Sequence, residues 1–227
     1  ISGRNRENLD LVATKCRQVN PGNNLLVLPF DACDNNATNL AVSEVNSNWH
    51  GVDLVIYNAG TYEATRIDSL SPESAEQSLR VNLLAPISIT TAILPLLLQT
   101  PETSKPRGFA YVASVAGYRG LPRALTYGPG KAGLISFAES LWGDLNGLGL
   151  NTWIINPGFV RTRLTAQNKF AMPALIEPED AAKEIIRGFA KGNFEIHFPK
   201  RFTWMMKFLR VLPNRVYFAM IRRLTRR

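Results

Sequence analysis

With 227 residues, 45% of them hydrophobic and 19% charged, the chain has the length and balance of one globular domain with a sizeable core. Its two cysteines, Cys16 and Cys33, and two histidines, His50 and His197, are too few and too scattered for a disulfide framework or a metal site; a reducing, cytoplasmic compartment is expected, and no metal. The net charge of +8 is uneven: residues 200–227 hold nine Lys or Arg and no acid, which leaves 17 bases against 18 acids in residues 1–199, so only the tail calls for a partner that favours cations.

The chain opens on Ile1-Ser2-Gly3-Arg4, which reads as the end of a strand, with no glycine-rich turn ahead of the first helical pattern. From Glu7 to Val19, apolar Leu9, Val12, Ala13 and Cys16 recur at helical spacing until Asn20-Pro21-Gly22 breaks it. Leu25–Leu28 reads as a strand, and Asp31 and Asp34 follow it, the second suited to capping a helix over Ala37–Trp49. Asp53–Tyr57 is a buried strand closed by Asn58-Ala59-Gly60, and Ser71-Pro72-Glu73 starts a helix that runs towards Gln99 and carries Asn82.

Phe109–Ala113 reads as a further buried strand, followed by a loop opened by Ser114 and a helix beginning near Tyr127. Tyr127 and Lys131 stand four residues apart, so the helical period puts phenol and ammonium on one face, one turn from each other. An ammonium beside a phenol favours the phenolate and is expected to lower its pKa towards working pH. Pro129 and two glycines lie between the pair; a proline is tolerated in a first helical turn, so the geometry can survive. Asn151–Ile155 is the next strand, closed by Asn156-Pro157-Gly158. Residues 163–177 lack a period and read as a mobile lid, and a helix from Pro178 to Lys191 precedes a last strand, Phe194–Phe198.

Ser114 thirteen residues before Tyr127-x-x-x-Lys131, Asn58-Ala59-Gly60, Asn82 within Arg80-Val81-Asn82, and Asn156-Pro157-Gly158 followed by Thr162 come in the order and spacing of the short-chain dehydrogenase/reductase family, which residues 1–199 resemble. The resemblance implies a doubly wound, Rossmann-type α/β fold: a parallel sheet in three layers, from which the first strand and helix with their phosphate-binding glycines would be lacking here. It implies an oxidoreductase that interconverts a small-molecule carbonyl and an alcohol, with Tyr127 as proton donor, Ser114 on the carbonyl oxygen, Lys131 on the phenol and the nicotinamide ribose, and Asn82 holding a relay water. For the cofactor it implies Asp31 at the adenine, Asn58, Ala59 and Gly60 against the adenosine side, and Pro157, Gly158, Val160 and Thr162 at the nicotinamide. Arg4 falls where the adenosine ribose is read; a guanidinium there pairs with a 2′-phosphate, so NADP is favoured over NAD. A homodimer or homotetramer is also implied, through the helices that start at Pro72 and Tyr127. A non-catalytic, cofactor-less binding module is the alternative that the bare N-terminus leaves open.

Past Pro199 the residues form a separate basic, amphipathic tail, two segments of about eleven residues broken by Pro213 and too short to span a bilayer. Aromatic, Met and Leu side chains interleaved with Arg and Lys suit helices lying on an anionic membrane, which suggests the inner face of a membrane as the location and a hydrophobic or lipid-like substrate. A tail docked on the protein's own cleft is the competing expectation; the apolar content argues against nucleic acid.

Overall fold

The computed structural model describes residues 1–101, 106–168 and 170–225. Two short strands and their helices come first: β1 (Ser2–Gly3), α1 (Arg6–Val19), β2 (Leu28–Pro29) and α2 (Asn35–Trp49). Next are β3 (Leu54–Tyr57), α3 (Pro72–Leu79), a π-turn over Arg80–Leu84, α4 (Ala85–Gln99), β4 (Gly108–Val112) and a 3₁₀ turn over Val115–Gly117. The remainder is α5 (Tyr127–Asn146), β5 (Asn151–Pro157), α6 (Arg163–Ala166), α7 (Pro178–Ala190), β6 (Glu195–Phe198), α8 (Lys200–Val211) and α9 (Asn214–Thr225).

The caps fall where the side chains predict. Asn5 accepts from the Asn8 amide at the start of α1, Asp34 from Asn36 and Ala37 at the start of α2, and Ser71 shares a capping box with Ser74 ahead of Pro72. The second strand sits later than the apolar run suggests, at Leu28–Pro29, because its register is set by pairing with Ser2–Gly3. The expected helix from Pro72 to Gln99 is continuous, but a π-turn at Arg80–Leu84 interrupts its period. It is long and apolar enough to cross a membrane by length and composition alone. It also lies against the sheet, where Ala85, Ile89, Leu96 and Leu97 are buried.

All strand pairs are parallel. β3, β4, β5 and β6 form one sheet in that order, with Tyr57 opposite Tyr111, Val112 opposite Ile155 and Pro157 opposite Phe198. The carboxyl ends therefore line up on one edge, where open α/β sheets hold ligands. β1 and β2 form a separate two-stranded ribbon, and β3 keeps its second edge unpaired among the described residues, with Ile56 49% exposed.

Alternation along the strands splits the core in two. On one face Phe109, Tyr111 and Ile154 meet Ile89 and Leu97 of α4 and Leu134, Ile135 and Ala138 of α5; on the other Ala110, Trp153, Ile155 and Phe198 meet Ala181 of α7. The result is three layers, each large buried side chain contributing about 1.5–3 kcal/mol. Gly108 opens β4 at φ 141°, and a Cβ there would lie 1.8 Å from the Asn151 carbonyl oxygen, so the closest strand pairing needs glycine.

The tail is docked by its inner face. Met206 joins the main core, Thr203 and Tyr217 are buried, and Arg119 holds the corner between the two helices. Its guanidinium donates to the carbonyls of Leu209 (2.7 Å), Arg210 (3.1 Å) and Leu212 (2.6 Å) and to Asn214 Oδ1 (2.7 Å), and stacks 3.9 Å over the Tyr217 ring. The outer face of α8 stays free: Trp204, Phe208 and Val211 are 61%, 62% and 75% exposed.

Candidate active site

The loop after β4 and the first turn of α5 bring the predicted residues together. Ser114 caps the 3₁₀ turn, its Oγ accepting from the Ala116 amide at 3.1 Å, and its hydroxyl favours the ionised form of the nearby Tyr127 phenol. A Cβ on Gly117 would sit 2.8 Å from the Lys131 carbonyl, so bare backbone is what lets this loop lie against α5. Lys131 is 3% exposed, its Nζ donating to the Val112 carbonyl at 2.8 Å and lying 5.8 Å from the centre of the Tyr127 ring.

Here the electrostatics run opposite to the sequence expectation. Burial pushes the Tyr127 phenol up to about 12, only partly offset by the Ser114 hydroxyl, and burial pushes the Lys131 ammonium down to about 8. Desolvation of each charged form outweighs the favour each charge does the other. At neutral pH the phenol is a protonated donor.

Asn82 lies in the π-turn, fully buried. Its Nδ2 donates to Thr61 O (2.8 Å), Ser78 O (3.0 Å) and Ser78 Oγ (3.3 Å), and its Oδ1 accepts from the Thr61 amide (3.4 Å). The side chain thus fastens the turn after β3, a job not foreseen in its relay role. Asn58, Ala59 and Gly60 are exposed in that turn, and a Cβ on Gly60 would come within 3.3 Å of Asn82 Oδ1 and 3.5 Å of Lys131 Nζ. Pro157 ends β5, the Gly158 amide donates to Phe198 O at 2.7 Å, and Val160 bridges Ile176. Thr162 caps α6 in a box with Thr165. Within the expected lid, Ile176 is held to the strand end by that bridge, and Phe170 packs on Phe159.

The adenosine-side residues are open. Arg4 and Asp31 follow β1 and β2 and are exposed; Asp31 accepts from the Cys33 amide at 2.9 Å. A cleft of about 460 Å³ is lined by Arg4, Asn5 and Asn8 on one side and Arg163, Leu164 and Gln167 on the other. Bare, exposed backbone at residues 58–60 beside the buried ammonium, together with a cleft lined by two arginines, fits a nicotinamide dinucleotide.

Three further residues emerge only in three dimensions. The Tyr62 ring stands edge-on to Tyr127 at 5.1 Å, and its carbonyl accepts from Gln167 Nε2 at 2.9 Å. Glu195 on β6 accepts from Tyr118, four residues past Ser114, from Asn156, next to Pro157, and from Lys207 of α8, so one carboxylate ties two site loops to the tail. Burial raises its pKa, but these donors more than offset it and the carboxyl is held below its usual range. Partners 39 and 77 residues away leave no local signal; Tyr62, two residues past Gly60, was within reach of the strand-end rule.

The family model described as short chain dehydrogenase matches residues 1–172. The chain belongs to the short-chain dehydrogenase/reductase family. It is thus an NAD(P)-dependent oxidoreductase of the alcohol/carbonyl kind. An uncharacterized oxidoreductase of Myxococcus xanthus is 34% identical over 196 residues, 86% of this chain and 76% of that protein. Human 17-beta-hydroxysteroid dehydrogenase 13 is 24% identical over 214 residues, 93% of this chain and 69% of that one. A Brucella melitensis 3-oxoacyl-[acyl-carrier protein] reductase, solved in complex with NAD, superposes with a TM-score of 0.75 at 25% identity, covering 86% of this chain and 84% of that one.

Proposed function

We propose that the protein is an NADP(H)-dependent reductase of a hydrophobic or lipid-like carbonyl, with Tyr127, Ser114 and Lys131 as its catalytic residues and Asn82 as their support. The observation that carries this reading is the half-buried phenol, held near 12 beside Ser114, one helical turn from a buried ammonium. A phenol with that pKa is an acid at pH 7, which favours reduction. The bound dinucleotide supplies the hydride. Ser114 orients the carbonyl oxygen, Tyr127 gives it a proton as negative charge develops, and Lys131 stabilises the phenolate left behind. Asn82 keeps the turn at Asn58, Ala59 and Gly60 against Lys131, and Pro157, Gly158, Val160 and Thr162 would line the nicotinamide end.

Arg4 supports a 2′-phosphate: it lines the cleft and has no ion pair among the described residues, whereas Arg6 is taken by Asp10 at 3.3 Å. The substrate class rests on two supports. The names of two relatives carry a hydroxysteroid and a 3-oxoacyl group, oxygen functions on apolar skeletons. The tail also exposes aromatic and basic side chains on helices anchored to the loop after Ser114, which suits contact with an anionic membrane at its inner, cytoplasmic face. A homodimer or homotetramer through the continuous Pro72–Gln99 helix and α5 is supported by Leu84, Leu98 and Trp142, each about half exposed.

The deciding experiment is Tyr127→Phe, assayed with NADPH on hydrophobic ketones and aldehydes. Loss of one donor at constant volume should lower kcat by about 10²–10⁴ with the circular dichroism spectrum unchanged; retention of most of the turnover would end the assignment.

A further inference from the structure

The cleft beside Arg4 has a second cation that no motif singles out. Arg163 is the first residue of α6, immediately after Thr162, and it lines the wall opposite Arg4. It is exposed and makes no ion pair among the described residues, whereas Arg161, two positions earlier, is held by Glu177 at 2.8 Å. The remaining polar lining consists of neutral amides, Asn5, Asn8 and Gln167, so no acid in the lining neutralises either guanidinium. Two uncompensated arginines lining one cleft make a field that an anion relieves.

The two walls belong to different parts of the site. Arg4 follows β1, the adenosine side of the proposed site, whereas Arg163 follows the Val160–Thr162 segment at the end of β5 and is linked towards Tyr127 through Gln167 and Tyr62. A dinucleotide lying across the cleft has its diphosphate between those sides. We infer that Arg163 binds the cofactor's diphosphate while Arg4 reads the 2′-phosphate, so that the two arginines recognise different anionic groups of one ligand. This inference rests on the dinucleotide reading above. It carries a mechanical consequence: Gln167, one helical turn on, donates to the Tyr62 carbonyl, and the Tyr62 ring touches Tyr127. Anchoring Arg163 on a diphosphate therefore fixes the segment that walls the catalytic tyrosine.

The test is equilibrium binding to the purified protein, followed by dinucleotide fluorescence for NADPH and NADH and by calorimetry for ADP and adenosine 2′,5′-bisphosphate. Arg163→Ala should weaken NADPH, NADH and ADP alike, by roughly ten-fold for one charge-assisted contact. The same variant should leave the 2′-phosphate preference unchanged, and Arg163→Lys should restore part of the affinity. Arg4→Ala should weaken only the two ligands that carry a 2′-phosphate. Affinities of Arg163→Ala within two-fold of wild type for all four ligands would overturn the inference and leave the dinucleotide reading standing. So would a loss confined to the 2′-phosphate carriers. A wild-type protein that binds none of the four would remove both readings.

Discussion

Lys131→Met offers the sharpest separation of stability from activity. The ammonium is 3% exposed and burial lowers its pKa from 10.5 to about 8. At about 1.4 kcal/mol per pKa unit, the folded state carries a desolvation cost of the order of 3 kcal/mol at pH 7, where the lysine is charged in both states. A methionine of similar length removes that cost and leaves the Val112 carbonyl without its donor, a loss of about 1 kcal/mol. The net expectation is a gain of about 2 kcal/mol, or a Tm higher by roughly 4–8 °C for a domain of this size. Because the folded pKa is depressed for a cation, the unfolded chain binds more protons between pH 8 and 10.5, so wild-type stability rises over that window and the variant's advantage shrinks. Urea denaturation at pH 7 and pH 10 measures both, alongside a loss of turnover. A variant destabilised by more than about 1 kcal/mol at pH 7 would refute the claim that the ammonium is held there against its own solvation.

Lys207→Met should cost about 1–3 kcal/mol at neutral pH, less than a fully buried pair because both side chains are about a quarter exposed, and the cost should fall as the pH drops below the usual carboxylate range and Glu195 at last takes up a proton; denaturation followed from neutral to acid pH checks the sign. Replacing Trp204, Phe208 and Val211 together by serine should abolish flotation with anionic vesicles while preserving the fold; deletion of residues 200–227 is a poorer test, since it strips Met206 from the core. A light-scattering mass of at least twice the 25.2 kDa chain at micromolar concentration checks the proposed dimer, and substitution of Trp142 by Glu should halve it.

The parts legible in the sequence are those with local causes. Capping residues Asp34 and Ser71, Pro213 between the tail helices, and the four-residue spacing of Tyr127 and Lys131 act within one turn, and the helices start and stop beside them. The π-turn at Arg80–Leu84 was hidden because apolar spacing signals 3.6 residues per turn, and one inserted residue leaves no mark on it. The tail's composition showed an apolar-basic segment, but the division of its faces depends on where Arg119 and Glu195 lie. For the same reason nothing in the sequence sets Arg163 apart from other charged residues; the cleft it shares with Arg4 does.

The inverted pKa values of the catalytic pair also have a use. Burial raises the phenol from 10 to about 12, a penalty on the phenolate of about 3 kcal/mol. A unit positive charge near 5.8 Å, the separation of Lys131 Nζ from the ring centre, returns about 3 kcal/mol at an effective dielectric of 20. The value of about 12 is the cost of ionising with the ammonium already in place, so burial is the larger of the two effects. Before reaction the neutral phenol has no charge for the ammonium to stabilise, so burial keeps the proton in place and ready to be given. As the proton leaves, the attraction switches on and offsets part of what burial would otherwise cost. A lysine in the same position but exposed would lose most of that attraction to solvent. Its burial, at a cost in stability, is what makes the charge effective when Tyr127 ionises.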